Sequence, residues 1–162
     1  MAARSAGIVV YRKRAEAIEV LEAIEVLLVH PGGPFWSKRD SGAWSIPKGE
    51  YPEDEDAEAA ARREFEEETG WTIASDLLPL GEIRQKAGKT VTAFAAEGDF
   101  DTASLDSNRF EIEWPPKSGR IAAFPEVDRA GWFALDEARE KIIEGQRPLL
   151  DRLEALVGGG AG

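Results

Sequence analysis

The chain reads GEYPEDEDAEAAARREFEEETGW at residues 49–71, and this stretch contains an unusual cluster of acids. Glu64, Glu67 and Glu68 stand at i, i+3 and i+4, a spacing that places three carboxylates on one face of a helix. The carboxylates repel one another, and near a helix C-terminus the macrodipole disfavours negative charge further. Hard oxygen ligands suit Mg²⁺ or Mn²⁺, which bind phosphates through their remaining coordination positions. The spacing therefore predicts a divalent-metal site for a substrate that carries phosphate.

The same stretch predicts a helix over roughly residues 54–69. Asp54 or a neighbouring acid is expected to cap its start, and Gly70 to end it in a left-handed conformation. A narrow apolar stripe at i, i+4 and i+8 lets the helix lie close against a sheet, and it consists of Ala57, Ala61 and Phe65. The alternative is a solvent-exposed acidic helix in which Arg62 and Arg63 form local ion pairs.

Residues 49–71 resemble the signature of the Nudix hydrolases, G-x5-E-x7-R-E-U-x-E-E-x-G-U, where U is a bulky apolar residue. Its fixed places are filled by Gly49, Glu55, Arg63, Glu64, Phe65, Glu67, Glu68, Gly70 and Trp71. Trp71 departs from the aliphatic residue that is usual at the last place. The resemblance implies an α+β protein with the Nudix fold, an α/β/α sandwich around a mixed sheet. It also implies a pyrophosphohydrolase in which Glu64, Glu67 and Glu68 bind Mg²⁺, with Mn²⁺ as a possible substitute.

The resemblance also implies catalytic roles. Arg63 would orient the catalytic glutamates, and Glu55 would anchor Arg63 or assist the metal. Either Glu67 or Glu126 would accept the proton from the attacking water. Glu126 lies in FPEVDRAGW, resembling the place where some Nudix enzymes keep an extra glutamate, and its rivals are Glu111 and Glu113. His30 is the one histidine of the chain and ends an apolar run, so we expect a structural role for it rather than general-base catalysis.

Substrate contacts are predicted around WSIPKGE at residues 44–50, which resembles the segment before the signature in Nudix enzymes that cleave dinucleoside polyphosphates, nucleoside triphosphates or diphosphoinositol phosphates. Lys48 is expected to contact a phosphate, and Gly49 to allow close approach of the backbone. Trp44 is either a core residue or a platform on which a base stacks. The candidates for binding the more distant phosphates, each alternatively a surface charge, are Arg84, Lys86, Lys89, Lys117 and Arg120.

These features favour a pyrophosphohydrolase that acts on a nucleoside diphosphate linked to another group, such as a dinucleoside polyphosphate or a nucleoside triphosphate. The alternatives within the family are hydrolysis of ADP-ribose or a nucleotide sugar, and nucleotide sensing without hydrolysis. A sensor would usually lack one of the signature glutamates, and all are present. An acidic Ca²⁺-binding or protein-interaction helix is the alternative outside the family, but the sequence has no D-x-D-x-D-G loop.

The 162 residues suit one domain, expected over residues 1–157, with a disordered glycine-rich tail at 158–162. The net charge of −11 argues against binding to a nucleic-acid polymer and is compatible with a small nucleotide held through metal. No apolar run approaches the ~20 residues of a membrane span, and MAARSAG lacks the apolar segment of a secretory signal. The absence of cysteine excludes disulfides and zinc-thiolate sites. We expect a cytoplasmic protein without membrane partners, and the sequence does not indicate its oligomeric state.

The remaining elements form a mixed pattern. Strands are predicted at SAGIVVYRK, IEVLLVH, LPLGEIRQK, KTVTAFAAEGDF and AGWFAL, with a tight turn at 87–88 between the third and fourth. LDEAREKIIEGQ and RPLLDRLEAL predict one interrupted or two short helices, with Pro148 at a helix start. The six residues EAIEVL occur at 16–21 and again at 22–27. The second copy continues into LLVH and is expected to pair in the sheet, so removal of the first is expected to change stability little.

Overall fold

The fold is built on β-strands. The computed structural model describes residues 4–15, 22–85 and 88–158. The strands are β1 (Arg4–Ala15), β2 (Glu22–Pro31), β3 (Lys48–Glu50), β4 (Leu78–Arg84), β5 (Thr90–Glu97), β6 (Arg109–Glu113), β7 (Ile121–Pro125) and β8 (Val127–Ala134). Six of them form one sheet in the order β4-β5-β1-β2-β8, with β3 paired to the start of β1. In this sheet β1 and β5 run parallel and the other pairs antiparallel, whereas β6 and β7 form a separate hairpin.

Helices cover both faces of the mixed sheet. α1 (Ala57–Thr69) packs on one face, where Ala60, Ala61 and Phe65 are buried against residues of β1 and β5. α2 (Leu135–Lys141) and α3 (Arg147–Leu153) contribute to the apolar core on the other face. The short residues of α1 let it approach the sheet closely. This arrangement confirms the predicted α/β/α sandwich with a mixed sheet.

The start of α1 differs from the prediction. The helix begins at Ala57 rather than near Asp54. Its cap is nevertheless a neighbouring acid, as predicted, since Asp56 accepts a hydrogen bond from the Ala59 N–H. Residues 52–55 form a turn instead, closed by the Glu55 N–H on the Pro52 carbonyl. At the other end Gly70 has a φ of 80° and donates its N–H to the Glu66 carbonyl, as predicted.

Most predicted strands and helices are confirmed, including two short C-terminal helices with Pro148 in the first turn of α3. The sequence reading missed β3, β6 and β7. The second EAIEVL copy lies in β2 as predicted. The first copy, Ala87 of the predicted turn and the tail beyond residue 158 lie outside the described residues.

The pairing of β3 with β1 positions the segment that precedes α1. Ser5, Ala6 and Gly7 lie opposite Glu50, Gly49 and Lys48. A Cβ atom on Gly7 would lie 2.7 Å from the Pro47 carbonyl oxygen and 2.7 Å from the Lys48 Cβ. Glycine is therefore required at residue 7 for this close approach, which holds Lys48 and Gly49 beside α1.

Candidate metal-dependent active site

The end of α1, β3 and the link between β7 and β8 surround one cleft of about 310 Å³, which we call the acidic cleft. Its carboxylates belong to Glu50, Glu64, Glu67, Glu68 and Glu126. Lys48, Lys89 and Asn108 line it as well. The structure therefore brings together predicted site residues that are far apart in the sequence.

Gly49 and Glu64 fit together at the wall of this cleft. A Cβ atom on Gly49 would lie 1.9 Å from Glu64 Oε2 and 2.2 Å from its carboxyl carbon. No side chain fits there unless the carboxylate moves. The glycine of the signature thus has a packing reason, which is to let the Glu64 carboxylate lie against the backbone of β3.

Glu68 is the most deeply placed of these acids. Burial raises the pKa of Glu68 to about 8, and the neighbouring Glu126 and Glu64 add repulsion. The opposing contact is a hydrogen bond of 3.2 Å from the backbone N–H of Lys48 to Glu68 Oε1. The surroundings of this carboxylate therefore disfavour its charged form. A bound cation would favour the charged form and so lower the pKa.

Arg63 is the centre of an ion-pair network along α1. Its Nη2 and Nε atoms donate to the two carboxylate oxygens of Glu55 at 2.8 and 3.0 Å, and its Nη1 donates to Glu64 at 2.9 Å and Glu67 at 3.3 Å. Burial raises the pKa of Glu64, the Glu67 charge raises it further, and Arg63 opposes both. The bond to Arg63 lowers the pKa of Glu55. Glu55 thus anchors Arg63, as the resemblance implies.

The acidic cleft offers carboxylate oxygens, which are ligands that divalent cations prefer. Several carboxylates share it, and those of Glu64 and Glu68 have raised pKa values, because burial and repulsion disfavour their charged forms. As the side chains stand, however, the described residues contain no three acidic or histidine side chains converged into a metal-binding group. Arg63 bonds Glu64 and Glu67, so it engages oxygens that a cation would use. Binding of a metal would require these side chains to turn.

Glu126 is fixed in the cleft by its backbone. It is the single residue between β7 and β8, its N–H donates to the Asn108 carbonyl at 2.9 Å, and its carbonyl accepts from the Gly32 N–H at 2.9 Å. The Asn108 N–H in turn donates to the Glu67 carbonyl at 2.9 Å. Asn108 therefore ties the end of α1 to Glu126. The rivals Glu111 and Glu113 lie outside the cleft lining, and Glu113 instead accepts from backbone N–H groups of the β6–β7 turn.

The predicted phosphate-binding cations lie in different places. Lys48 lines the acidic cleft, and burial lowers its pKa, with repulsion from Lys89 adding to the effect and Glu68 opposing it. Lys89 also borders a second cleft of about 740 Å³, which we call the basic cleft because Arg84 and Arg147 line it too. Lys117 and Arg120 lie in the β6–β7 turn and line neither cleft. Lys86 lies outside the described residues.

Trp44 and His30 belong to the core. Trp44 is 5% exposed, and its indole N–H donates to Asp40 Oδ1 at 2.8 Å. It does not line the acidic cleft, so of the two predicted roles the structure supports packing. His30 is fully buried against Trp44, with Nε2 2.6 Å from the Arg39 carbonyl and Nδ1 2.8 Å from Asp128. Both ring nitrogens are thus engaged within the fold, in agreement with a structural histidine.

Two features escaped the sequence reading. No sequence pattern indicates a role for Asn108, because its hydrogen bonds to Glu67 and Glu126 are made by its backbone. Trp36 lies in an apolar pocket that shares Lys48, Glu68 and Glu126 with the acidic cleft, and the run HPGGPFW was a signal that could have identified it. The unusual Trp71 is explained by packing, since its ring stacks on Phe100 at 4.9 Å between centroids.

Comparison with known proteins identifies the family. The model of the NUDIX domain matches residues 1–153. An RNA pyrophosphohydrolase of Caulobacter vibrioides is 46% identical over 54 residues, which span 30% of this chain and only 31% of that relative. The structure of an Ap4A hydrolase binary complex from C. elegans has a TM-score of 0.63 and 25% identity, over 96% of this chain and 98% of that one. The NUDIX domain of Shewanella oneidensis NrtR complexed with ADP ribose has a TM-score of 0.64 at 16% identity, covering 97% and 89%, and shows the shared fold.

The chain belongs to the NUDIX domain family. Similar proteins include an RNA pyrophosphohydrolase and an Ap4A hydrolase, and the match to the curated relatives spans only 31% of their length. The family generally uses divalent metal ions such as Mg²⁺. Among the described residues no helix has the length and apolar character needed to cross a membrane.

Proposed function

We propose that the protein is a Mg²⁺-dependent pyrophosphohydrolase that cleaves the diphosphate linkage of a nucleoside diphosphate bonded to another group, specifically a dinucleoside polyphosphate or a nucleoside triphosphate. The observation that carries this proposal is the acidic cleft, in which the carboxylates of α1 and Glu126 face Lys48 and Lys89. Carboxylates suit a divalent cation, and the two lysines suit the phosphates that such a cation would bind.

Glu64, Glu67 and Glu68 would hold the metal, and the same donors accept Mn²⁺. When bound, a divalent ion would supply positive charge to the phosphate oxygens and make the attacking water more acidic. Lys48 would contact a phosphate from β3, where the absent side chain of Gly49 gives room to the Glu64 carboxylate rather than to the substrate. Arg63 is held by Glu55. When the metal binds, Arg63 would give up part of its hydrogen bonding to the metal-binding glutamates, and its remaining bonds would orient their carboxylates.

The proton of the attacking water has two possible acceptors, Glu67 and Glu126. Glu67 lies in the outer part of the cleft, with 42% of its side chain exposed, and it is also a candidate metal ligand. The backbone of Glu126 is bonded to Asn108 and Gly32, and Asn108 also bonds the Glu67 carbonyl. A group whose backbone is tied to the helix of the metal ligands suits proton transfer at a constant distance.

The basic cleft favours a substrate with several phosphates. Lys89 borders both clefts, so a chain of phosphates can extend from the acidic cleft past Lys89 towards Arg84 and Arg147. In the described part of the chain neither Arg84 nor Lys89 has an ion-pair partner, although the protein carries a net charge of −11. Unpaired cations beside a cleft suit an anionic ligand. ADP-ribose, the ligand in the NrtR complex, has only two phosphates and would leave this cleft unused.

A substrate panel tests the proposal. Purified protein with Mg²⁺ would be assayed on dinucleoside polyphosphates, nucleoside triphosphates, ADP-ribose, a nucleotide sugar, diphosphoinositol phosphates and a short RNA with a 5′-triphosphate. We expect turnover of the first two classes and mononucleotide among the products. Preference for the RNA would instead assign the activity named for the Caulobacter relative. Nucleotide binding without turnover of any member would support a sensor.

The basic cleft provides a matched comparison. Arg84→Gln and Arg147→Gln are each expected to raise KM for a dinucleoside tetraphosphate about tenfold, while the dissociation constant of ADP-ribose, measured by calorimetry, stays constant. Arg109→Gln removes an exposed cation from β6, outside both clefts, and serves as the control. Equal effects of all three variants would show that only overall charge matters, and the basic cleft would have no specific role.

A further inference from the structure

An apolar pocket of about 200 Å³ opens next to the acidic cleft. Its apolar walls are mainly Val29, Pro31, Ala43, Ile46, Val127 and Ile143, and Trp36 adds an aromatic surface. Lys48, Glu68 and Glu126 line both this pocket and the acidic cleft. A ligand with phosphates in the cleft can therefore place an apolar, planar group directly in the pocket.

Trp36 is available for contact with such a group. Its side chain is 38% exposed, whereas Trp44 and Trp71 are buried. Within the described residues no hydrogen bond of the Trp36 indole N–H is found, and the Arg39 guanidinium lies 5.6 Å from the ring centroid. Large aromatic rings that remain exposed beside a charged cleft suit stacking with a ligand.

The segment that carries Trp36 is held in a defined position. Gly32 donates its N–H to the Glu126 carbonyl, and a Cβ atom on Gly32 would lie 2.0 Å from the Pro125 carbonyl oxygen. Gly33 has a φ of 97°, and a Cβ there would lie 2.9 Å from the Phe110 ring. The glycines of HPGGPFW thus allow the segment to lie against β6 and β7. The same backbone bond links it to Glu126, so the pocket and the acidic cleft share one support.

We propose that this pocket binds the nucleobase of the substrate, with Trp36 as the stacking surface. The inference rests on the proposed function, because it assigns one end of the same substrate. The hydroxyl in the pocket wall is already used, since Ser45 donates to the Ile46 carbonyl and accepts from Gln146 Nε2. Because a stacking surface binds the face that every base has, adenine and guanine nucleotides are expected to bind with similar affinity.

Two ligands that differ only in the base test the pocket directly. The dissociation constants of adenosine 5′-monophosphate and ribose 5-phosphate would be measured by calorimetry with Mg²⁺ present, for the wild type and for Trp36→Leu. We expect the wild type to bind the nucleotide at least about tenfold more tightly, and Trp36→Leu to bind the two ligands equally. Trp36→Tyr keeps an aromatic face and is expected to retain most of the preference.

Phe35→Leu is the matched control, because Phe35 is the neighbouring exposed aromatic residue but lies outside the pocket lining, against Trp114. This variant is expected to keep the wild-type preference. Equal affinity of the wild type for both ligands would overturn the inference, and so would an unchanged preference in Trp36→Leu. Equal loss in Phe35→Leu would also overturn it, since the effect would then come from packing of the segment.

Turnover separates this inference from the proposed function. In Trp36→Leu, KM for a nucleoside triphosphate should rise about tenfold while kcat stays near the wild-type value. A wild type that prefers the nucleotide in binding but hydrolyses no member of the panel would overturn the proposed function and leave the base pocket in place. A wild type that hydrolyses the panel but shows no preference for the base would do the reverse.

Discussion

At the scale of single residues, the positions of the acidic cleft each have an identifiable physical reason. Gly49 has no side chain because the Glu64 carboxylate occupies the space where a Cβ would lie. Glu68 keeps a raised pKa, close to 8, because burial outweighs its hydrogen bond to the Lys48 N–H. The raised pKa shows that a charged Glu68 is disfavoured in the fold, and a bound cation would relieve this cost.

Glu67→Gln is expected to keep the fold and to lower kcat by about 10²-fold or more, because the change preserves shape and removes charge from the metal site. The measurement is turnover of a nucleoside triphosphate at saturating Mg²⁺. Glu66→Gln is the matched control, since Glu66 is the adjacent exposed acid and does not line the cleft. Near-normal turnover of Glu67→Gln would remove Glu67 from the mechanism.

The spacing of Glu64, Glu67 and Glu68 predicts a common helix face, and all three line the acidic cleft. The sequence pattern leaves two roles open for Trp44 and indicates none for Trp36, since aromatic residues serve both in cores and in ligand contacts. Trp44 is buried against residues of strands that are remote in sequence. Trp36 is exposed on a segment that two glycines allow to lie against β6 and β7. Neither outcome follows from local pattern.

At the scale of elements, α1 shows how a charged helix is held in place. Its two adjacent arginines act differently. Arg62 donates to the carbonyls of Ile73 and Ser75 and so fastens the chain that follows the helix. Arg63 instead bonds Glu55, Glu64 and Glu67. One arginine therefore serves stability and the other serves the arrangement of the cleft.

Conservative substitution of the two arginines should separate these roles. Arg63→Lys cannot reproduce the paired bonds to Glu55, so we expect activity to fall about 10- to 100-fold with little change in melting temperature. Arg62→Lys should lower the melting temperature and leave kcat nearly unchanged. Turnover and thermal unfolding of both variants check the prediction, and the opposite pattern would assign the roles the other way round.

The elements that the sequence did not reveal share one property. β3 has three residues, and β6 and β7 pair with each other outside the main sheet. Such short strands lack a period long enough to detect. Their pairing depends on distant partners, as in Lys48 opposite Gly7. The long strands β1 and β2 were predictable because a continuous apolar run indicates a buried strand.

The repeat gives a prediction about the β1–β2 connection. Ala15 and Glu22 are cross-strand partners, so removing residues 16–21 would join two residues that face each other. Ala15 and Glu22 would then form the turn themselves, which needs left-handed backbone at two non-glycine residues. Their cross-strand pair would be lost. We now expect this deletion to lower the free energy of unfolding by about 1–2 kcal/mol, contrary to the small effect predicted from sequence.

Replacing residues 16–21 with Asn-Gly is the matched variant. It supplies the two-residue turn that this register favours, so stability should remain near that of the full chain. Chemical denaturation measures both variants, and metal-dependent turnover should be unchanged in each. If the Asn-Gly variant fails to fold, the first EAIEVL copy is essential to the sheet and the connection is more than a linker.

At the scale of the whole molecule, charge is distributed unevenly. The chain carries a net charge of −11, and several of its acids meet in one cleft while Arg84, Lys89 and Arg147 line the next. A metal ion lowers the repulsion in the acidic cleft, and phosphates lower it in the basic cleft. The protein and a metal-bound nucleotide are thus electrostatically complementary.

Metal should therefore stabilise the folded protein. A divalent ion that binds the native cleft and not the unfolded chain raises the free energy of unfolding by RT ln(1 + [M]/Kd), so the melting temperature should rise with millimolar Mg²⁺ or Mn²⁺ and fall again with EDTA. Glu68→Gln replaces a buried carboxylate by a neutral group that can still accept the Lys48 N–H. In EDTA at neutral pH this variant should melt higher than the wild type, because burial raises the pKa of Glu68 to about 8, so folding must protonate this carboxyl, whereas the amide needs no proton. With Mg²⁺ it should gain less. Two results together would contradict this prediction: a wild-type melting temperature that does not change with metal, and a lower melting temperature of Glu68→Gln than of the wild type in EDTA. They would mean that these acids stabilise the fold and that the acidic cleft does not bind metal.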